Sequence, residues 1–267
     1  MKNIDEVTNL LGYKIVSSRK ERLLKKIFSH VESGIGLQIV CTPNPEQLVY
    51  AKSHSWFGKT LGKSDILLPD GMGIVIGSQI LSVFGKSEPI IERIAGVDVA
   101  SELLKQFHDK KFLIIGGREY AGSEFQNWKV IAAGDRPKRV KSSVRFLYWH
   151  EGFLNVTLPT GLENKELIEH IRNLRPEILF VALGAPYQEK WIFDNKKELS
   201  DNGVRLAMAV GGSFDMLLGK VKRAPKWMQR IGLEWLFRLY KEPWRWRRQV
   251  NLLVFLKMVI QEALASK

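Results

Sequence analysis

Asp70 is the side chain best placed to move a proton. It follows the apolar run Ile66-Leu67-Leu68 and Pro69 and precedes Gly71-Met72-Gly73, so its carboxylate is expected at a strand exit with a permissive backbone beyond it. Such a carboxylate can serve as a general base toward a hydroxyl, and a turn aspartate bonded to its own backbone would have the same sequence. Downstream, Glu92-Arg93 and Gly96-Val97-Asp98 supply a cation and further acids near a helix start, suited to holding an anion or equally to an ion pair and a helix cap. Gln188, Glu189 and Lys190 come just after Gly184-Ala185-Pro186. They fall on the first turn of a helix, beside a crevice or on the helix's solvated face. Asn44-Pro45 reads as an N-cap followed by the first residue of a helix reaching about Phe57. Gly211-Gly212-Ser213 reads as a phosphate-cradling turn or as ordinary helix-start chemistry. The chain has no Gly-x-Gly-x-x-Gly and no Walker lysine motif, and no Cys/His metal-ligand spacing, so no cofactor and no metal is expected.

The elements that must position these residues are short buried runs. Leu37 to Cys41, Ile66 to Leu68, Phe112 to Ile115, Ile178 to Leu183 and Leu206 to Val210 are apolar, with amphipathic stretches between them. That alternation predicts an α/β, Rossmann-like fold, a mainly parallel sheet with helices on both faces. Several runs end in tight-turn residues, Thr42-Pro43-Asn44, Pro69-Asp70-Gly71, Gly116-Gly117, Gly184-Ala185-Pro186 and Gly211-Gly212-Ser213. In an open α/β sheet ligands bind outside the carboxyl ends of the strands, where such turns collect.

The 267 residues suffice for one large α/β domain with an appendage, and we expect a catalytic domain over 1–219 and a basic helical C-terminal appendage over 220–267. Residues 220–248 carry ten Lys or Arg against Glu234 and Glu242, which is +8 of the chain's +13, and four of the eight tryptophans. Cations meet head-groups or phosphates while indole rings settle at an apolar boundary, so this stretch suits an anionic membrane surface. Residues 250–264 are largely apolar but too few to span a bilayer, and read as a helix lying on a membrane or packed in a core. The single cysteine, Cys41, ends an apolar run and is expected to be a buried, inert thiol in a reducing compartment. With neither a signal peptide nor a spanning anchor visible, the expected location is cytoplasmic.

Taken in order, these segments resemble glycosyltransferase family 26, the WecG/TagA/CpsF family. The resemblance is carried by Thr42-Pro43-Asn44-Pro45-Glu46, Leu68-Pro69-Asp70-Gly71-Met72-Gly73, Glu92-Arg93-Ile94-Ala95-Gly96-Val97-Asp98, Gly184-Ala185-Pro186-Tyr187-Gln188-Glu189-Lys190-Trp191, and Val210-Gly211-Gly212-Ser213-Phe214-Asp215. Arg223-Ala224-Pro225-Lys226-Trp227 and Arg238-Leu239-Tyr240-Lys241-Glu242-Pro243 extend it into the basic tail. It implies an inverting hexosyltransferase that moves an N-acetylmannosamine-type or glucose-type sugar from a UDP-sugar donor to a polyprenyl-diphosphate-linked acceptor at the inner face of the plasma membrane. By the same resemblance Asp70 is the base, and Arg93, Thr42, Asn44 and Gln188 surround the site with Gly184, Gly212 and Asp215. Arg238, Arg245 and Arg248 are candidates to meet the diphosphates. The chain departs from the family pattern between Gly117 and Phe153, where residues 128–143 are basic and contain Gly and Pro.

Two other classes compete with this reading. A pI near 9.7 and a Lys/Arg stripe with aromatics would suit a nucleic-acid backbone, and a membrane scaffold could keep the fold without catalysis. The charge is concentrated at one end, and the strand-exit residues look like a small-molecule crevice, so no nucleic-acid partner is expected. A homo-oligomer is left open.

Overall fold

The structure is a computed structural model that describes residues 6–135, 144–230, 232–243 and 246–265, without the side chains of residues 230 and 247–249. In chain order its first half runs β1 (Val7–Leu10), β2 (Tyr13–Val16), α1 (Lys20–Ser33), β3 (Gln38–Cys41), α2 (Pro45–Ser53), α3 (Ser55–Gly62), β4 (Ile66–Leu67), α4 (Met72–Val83), α5 (Gly96–Gln106) and β5 (Phe112–Gly116). It continues with β6 (Glu124–Phe125), β7 (Trp128–Ala132), β8 (Arg145–His150), α6 (Gly161–Leu174), β9 (Ile178–Ala182), α7 (Tyr187–Asp194), α8 (Lys196–Asp201), β10 (Leu206–Ala209), α9 (Ser213–Leu217), α10 (Lys226–Arg230), α11 (Glu234–Lys241) and α12 (Trp246–Leu264).

The expected α/β fold is observed. An eight-stranded sheet has the order β4-β3-β10-β9-β5-β8-β7-β6, parallel from β3 through β7 and closed at one edge by the antiparallel β6. A separate antiparallel hairpin pairs β1 with β2. β5, β9 and β10 are buried along their whole length, which is why they read in sequence as continuous apolar runs rather than alternating ones.

By internal contacts the chain divides into two units. The first is Met1–Leu23, Cys41–Gly96 and Lys222–Lys267, and the second is Leu24–Val40 and Val97–Val221. The basic tail therefore groups with the segment that carries Asp70 and Arg93. The strand exits that hold Gly116-Gly117, Gly184 and Gly211-Gly212 belong to the second unit.

The helix that starts at Asn44 is shorter than expected. Asn44 caps it as predicted, with a reciprocal capping box to Gln47, but α2 stops at Ser53 and α3 restarts at Ser55. His54 breaks the run: at φ −125 and ψ 89 it leaves the helical region, and its ring stacks 3.8 Å from Tyr50. Asp98 lies in the first turn of α5, where the helix dipole favours an acid. The C-terminal helix begins four residues before the apolar run at Val250. α12 starts at Trp246, and its 19 residues span about 28 Å. Among the described residues no helix is long and apolar enough to cross a membrane.

Candidate active site

In the first unit, two backbone hydrogen bonds string three sequence motifs together. Leu68 N donates to Cys41 O at 2.9 Å, and Ile94 N donates to Pro69 O at 3.2 Å. Thr42, Asp70 and Arg93 are each the immediate chain neighbour of a residue in that ladder, so three segments far apart in sequence, carrying a hydroxyl, a carboxylate and a guanidinium, are joined there. Asp70 N donates to Leu68 O at 2.9 Å, which fixes the turn at the strand exit, and Gly71 follows at φ +102, a conformation that a side chain would strain. Thr42 is buried, and Asn44 and Asp70 are half-buried. Asn44 caps α2 through its Oδ1, which accepts from Gln47 N at 3.0 Å. Glu92 accepts from Lys20 N at 2.9 Å and so supports the start of α1.

Arg93 is the better-defined cation. Its Nη2 donates to Glu234 Oε2 at 2.9 Å, and the other oxygen of the same carboxylate receives Arg223 Nε at 3.2 Å. Both acid and guanidiniums are largely buried, so they interact far more strongly than a surface pair would.

The tail also packs directly against the Asp70 turn. A Cβ at Gly73 would lie 2.5 Å from Pro45 Cγ and 3.0 Å from Leu252 Cδ1. One turn further along α4, a Cβ at Gly77 would lie 2.8 Å from Phe255 Cζ. The small residues of Gly71-Met72-Gly73 and Gly77 thus admit α2 and α12 to close contact with α4, and α12 buries Phe255, Val259 and Ala263 there. On its other face α12 exposes Leu253, Ile260 and Leu264. Of the tail arginines, Arg238 is half-buried on α11, Arg245 lies outside the described residues, and the side chain of Arg248 does too.

The second unit assembles a different cluster. Gly184 turns at φ +81, and its carbonyl accepts from Tyr187 N and Gln188 N at 3.0 Å each as α7 begins. Gln188 is 1 % exposed and Glu189 is fully buried, so neither lies on a solvated helix face. Gln188 Oε1 accepts from Gly211 N at 3.0 Å, while its Nε2 donates to Glu189 Oε1 at 2.9 Å. Glu189 Oε2 is buried and has no hydrogen-bond partner among the described residues. Burial pushes the Glu189 carboxyl up to about 7, against the opposing pull of the Gln188 hydrogen bond.

Beside this turn, Asp215 Oδ1 accepts from the fully buried Tyr120 hydroxyl at 2.8 Å and lies 3.6 Å from Arg118 Nε. Burial, followed by the bond to Asp215, raises the Tyr120 phenol far above its usual range, so Tyr120 is a permanent donor that orients the carboxylate. Ser213 is bonded back to Val210 O, and Gly212 stays exposed next to Asp215. In the region that departs from the family pattern, His150 Nδ1 accepts from Gly152 N at 3.0 Å and closes its own turn.

The sequence-predicted residues therefore fall into two groups. Thr42, Asn44, Asp70, Arg93 and Arg238 lie in the first unit, and Gly184, Gln188, Gly212 and Asp215 lie in the second. Sequence reasoning missed Tyr120, Arg118, Arg223 and Glu234. The Gly116-Gly117 turn could have pointed to Arg118 and Tyr120 just beyond it, whereas nothing local marks Glu234, whose partner Arg93 is 141 positions away.

In each unit polar and charged side chains follow the strand exits of an α/β sheet, where ligands of such sheets bind. The comparison with family models makes this specific: the chain belongs to the glycosyl transferase WecG/TagA/CpsF family, whose model matches residues 8–267. It is similar to an N-acetylglucosaminyldiphosphoundecaprenol N-acetyl-beta-D-mannosaminyltransferase of Bacillus subtilis (strain 168), at 32% identity over 87% of this chain and 82% of the relative. It also resembles proteins of the same name from Bacillus spizizenii, at 31% identity over 85% of this chain and 80% of the relative, and from Staphylococcus aureus (strain MRSA252), at 27% over 74% and 70%.

Proposed function

We propose that this glycosyltransferase moves N-acetylmannosamine from a UDP-linked donor to N-acetylglucosamine carried on a polyprenyl diphosphate, with inversion at the anomeric carbon. The acceptor and the transferred sugar are those named for the relatives, and a glucose-type donor is the alternative. Asp70 takes the proton of the acceptor hydroxyl as its oxygen bonds to the anomeric carbon. The bond from that carbon to the diphosphate breaks on the opposite side, and UDP leaves with the electron pair. Arg93 neutralises the charge that develops on the leaving diphosphate, and Thr42 and Asn44 orient the sugar. Gly184, Gln188, Gly212 and Asp215 are assigned to donor binding, and Arg238, Arg245 and Arg248 to the diphosphates.

The observation that supports this reading is the backbone ladder that joins the segment of Arg93 to the turn of Asp70 through Ile94 N and Pro69 O. The basic tail holds the enzyme at the inner face of the membrane, where a lipid-linked acceptor resides. Trp227, Trp235, Tyr240 and Trp246 are exposed among its cations, as a head-group interface requires.

The test is transfer from UDP-N-acetylmannosamine to a short-chain polyprenyl-diphosphate N-acetylglucosamine, with product configuration read by NMR. The β-linked disaccharide is expected. Turnover of UDP-glucose in preference would correct the donor, and turnover of neither sugar would overturn the proposal.

A further inference from the structure

α11 is built inside out. Its sequence, Glu234-Trp235-Leu236-Phe237-Arg238-Leu239-Tyr240-Lys241, would bury the apolar residues and expose the acid on an ordinary surface helix. Instead Trp235 and Leu236 are each 42% exposed and Tyr240 is 77% exposed, while Glu234 is 8% exposed. Withdrawing a carboxylate from water is costly unless both oxygens find charged partners, and removing one partner of such a group is strongly destabilising. Glu234 has those partners: Arg93 on one oxygen and Arg223 on the other. Its place in the first turn of α11 adds the favourable end of the helix dipole.

The approach to α11 fixes the same geometry from a second direction. Gly232, at φ +77, sits so close to Met72 that a Cβ there would collide with the Met72 side chain, two residues from Asp70. The start of α11 is therefore held against both the Asp70 turn and Arg93.

Two guanidiniums on one carboxylate leave a cluster of net charge +1. The bond to Glu234 uses one terminal nitrogen of Arg93, whose guanidinium carries five donors.

We propose that Glu234 is a positioning residue for sugar transfer, holding Arg93 and Arg223 as one anion-receiving cluster for the diphosphate of the donor. This rests on the reading that Arg93 meets that diphosphate, and adds Arg223 as its second cation. It also gives the tail a function besides anchorage, because the acid that orients Arg93 is carried on it.

The experiment is a double-mutant cycle on the full chain, with Arg93→Ala, Glu234→Ala and the double variant, assayed with UDP-N-acetylmannosamine and a soluble short-chain acceptor. Glu234→Ala is expected to lower kcat/KM at least ten-fold in the wild-type background and several-fold less than that in the Arg93→Ala background, where only its hold on Arg223 remains to be lost. Binding to anionic vesicles should stay within two-fold. Glu234→Gln, which keeps the shape and an acceptor oxygen, should fall between, and carries the same cycle if the alanine variant does not fold. Equal losses in the two backgrounds, or no loss on Glu234 substitution, would overturn the inference while leaving Arg93 in the site. Wild-type kcat/KM for Arg93→Ala would remove the underlying reading and this inference with it.

Discussion

Gln188 reaches across from α7 and accepts the backbone N–H of Gly211 at 3.0 Å, so a side chain from one strand exit ties down the turn at the next. The same amide donates to Glu189, which makes the buried carboxyl part of that tie. A lone Gly-Gly-Ser turn would be pliant; here its first amide is bonded to a side chain that is itself almost wholly enclosed.

Glu189 should make stability fall as pH rises. In the folded protein its carboxyl is raised to about 7, against 4.5 for the ordinary group. Below 4.5 both folded and unfolded chains hold the proton. Between 4.5 and about 7 only the folded chain does, so each step up in pH favours unfolding, and above about 7 the loss is complete. Glu189→Gln keeps the shape and removes the titration. Urea unfolding should show the variant gaining on the wild type by roughly 3 kcal/mol between pH 4.5 and pH 8, an upper figure from the size of the shift. A pH-independent difference would mean that the carboxyl titrates as an ordinary one.

Asp70→Asn should abolish most turnover, by about 10² to 10⁴, because the amide preserves the turn but cannot take the acceptor's proton. Donor affinity should stay within a few-fold, as measured by calorimetry with the UDP-sugar. A variant with wild-type kcat would reduce Asp70 to a turn residue.

Enlarging Gly77 should loosen the tail. Even a methyl group would approach Phe255 Cζ to 2.8 Å and Val259 Cγ2 to 3.2 Å, and Phe255 is fully buried. Overpacking of this kind costs about 1–3 kcal/mol. Gly77→Leu is expected to lower the melting temperature more than Gly77→Ala, and to expose α12 to limited proteolysis ahead of the rest of the chain.

Replacing Trp235 and Trp246 with alanine should weaken binding to anionic vesicles several-fold, since these rings are 42% and 57% exposed and carry little of the core. Transfer to a soluble acceptor should change less. Co-sedimentation and soluble-acceptor kinetics on the same preparations separate the two, and an equal loss in both would place these rings in the catalytic machinery instead.

Much of the architecture was legible because its signal is local. Phe112 to Ile115, Ile178 to Leu183 and Leu206 to Val210 are short and apolar on both faces, the pattern of strands buried in a parallel sheet. Asn44-Pro45 announced a helix start in two residues. What failed to show was long-range. Gln188-Glu189-Lys190 has the composition of a solvated first turn, and only the packing of α7 against β9 and β10 turns the first two residues inward. The break at His54 coincides with a ring stack on Tyr50 that helix propensity does not register. Gly73 and Gly77 read as turn and helix residues, yet the atoms that require them to be small belong to Pro45 of α2 and Leu252 of α12 for Gly73, and to Phe255 and Val259 of α12, more than 170 positions later, for Gly77.

That last contact reaches beyond a single chain. Because Phe255 fills the space a side chain at position 77 would occupy, the two positions form a lock whose halves cannot be enlarged independently. Across homologous chains they are expected to covary, a bulkier residue at 77 accompanying a smaller one at 255. A homologue that ends before α12 would be released from the constraint, and its helix corresponding to α4 should drift from glycine toward alanine and leucine, the residues a helix interior otherwise prefers.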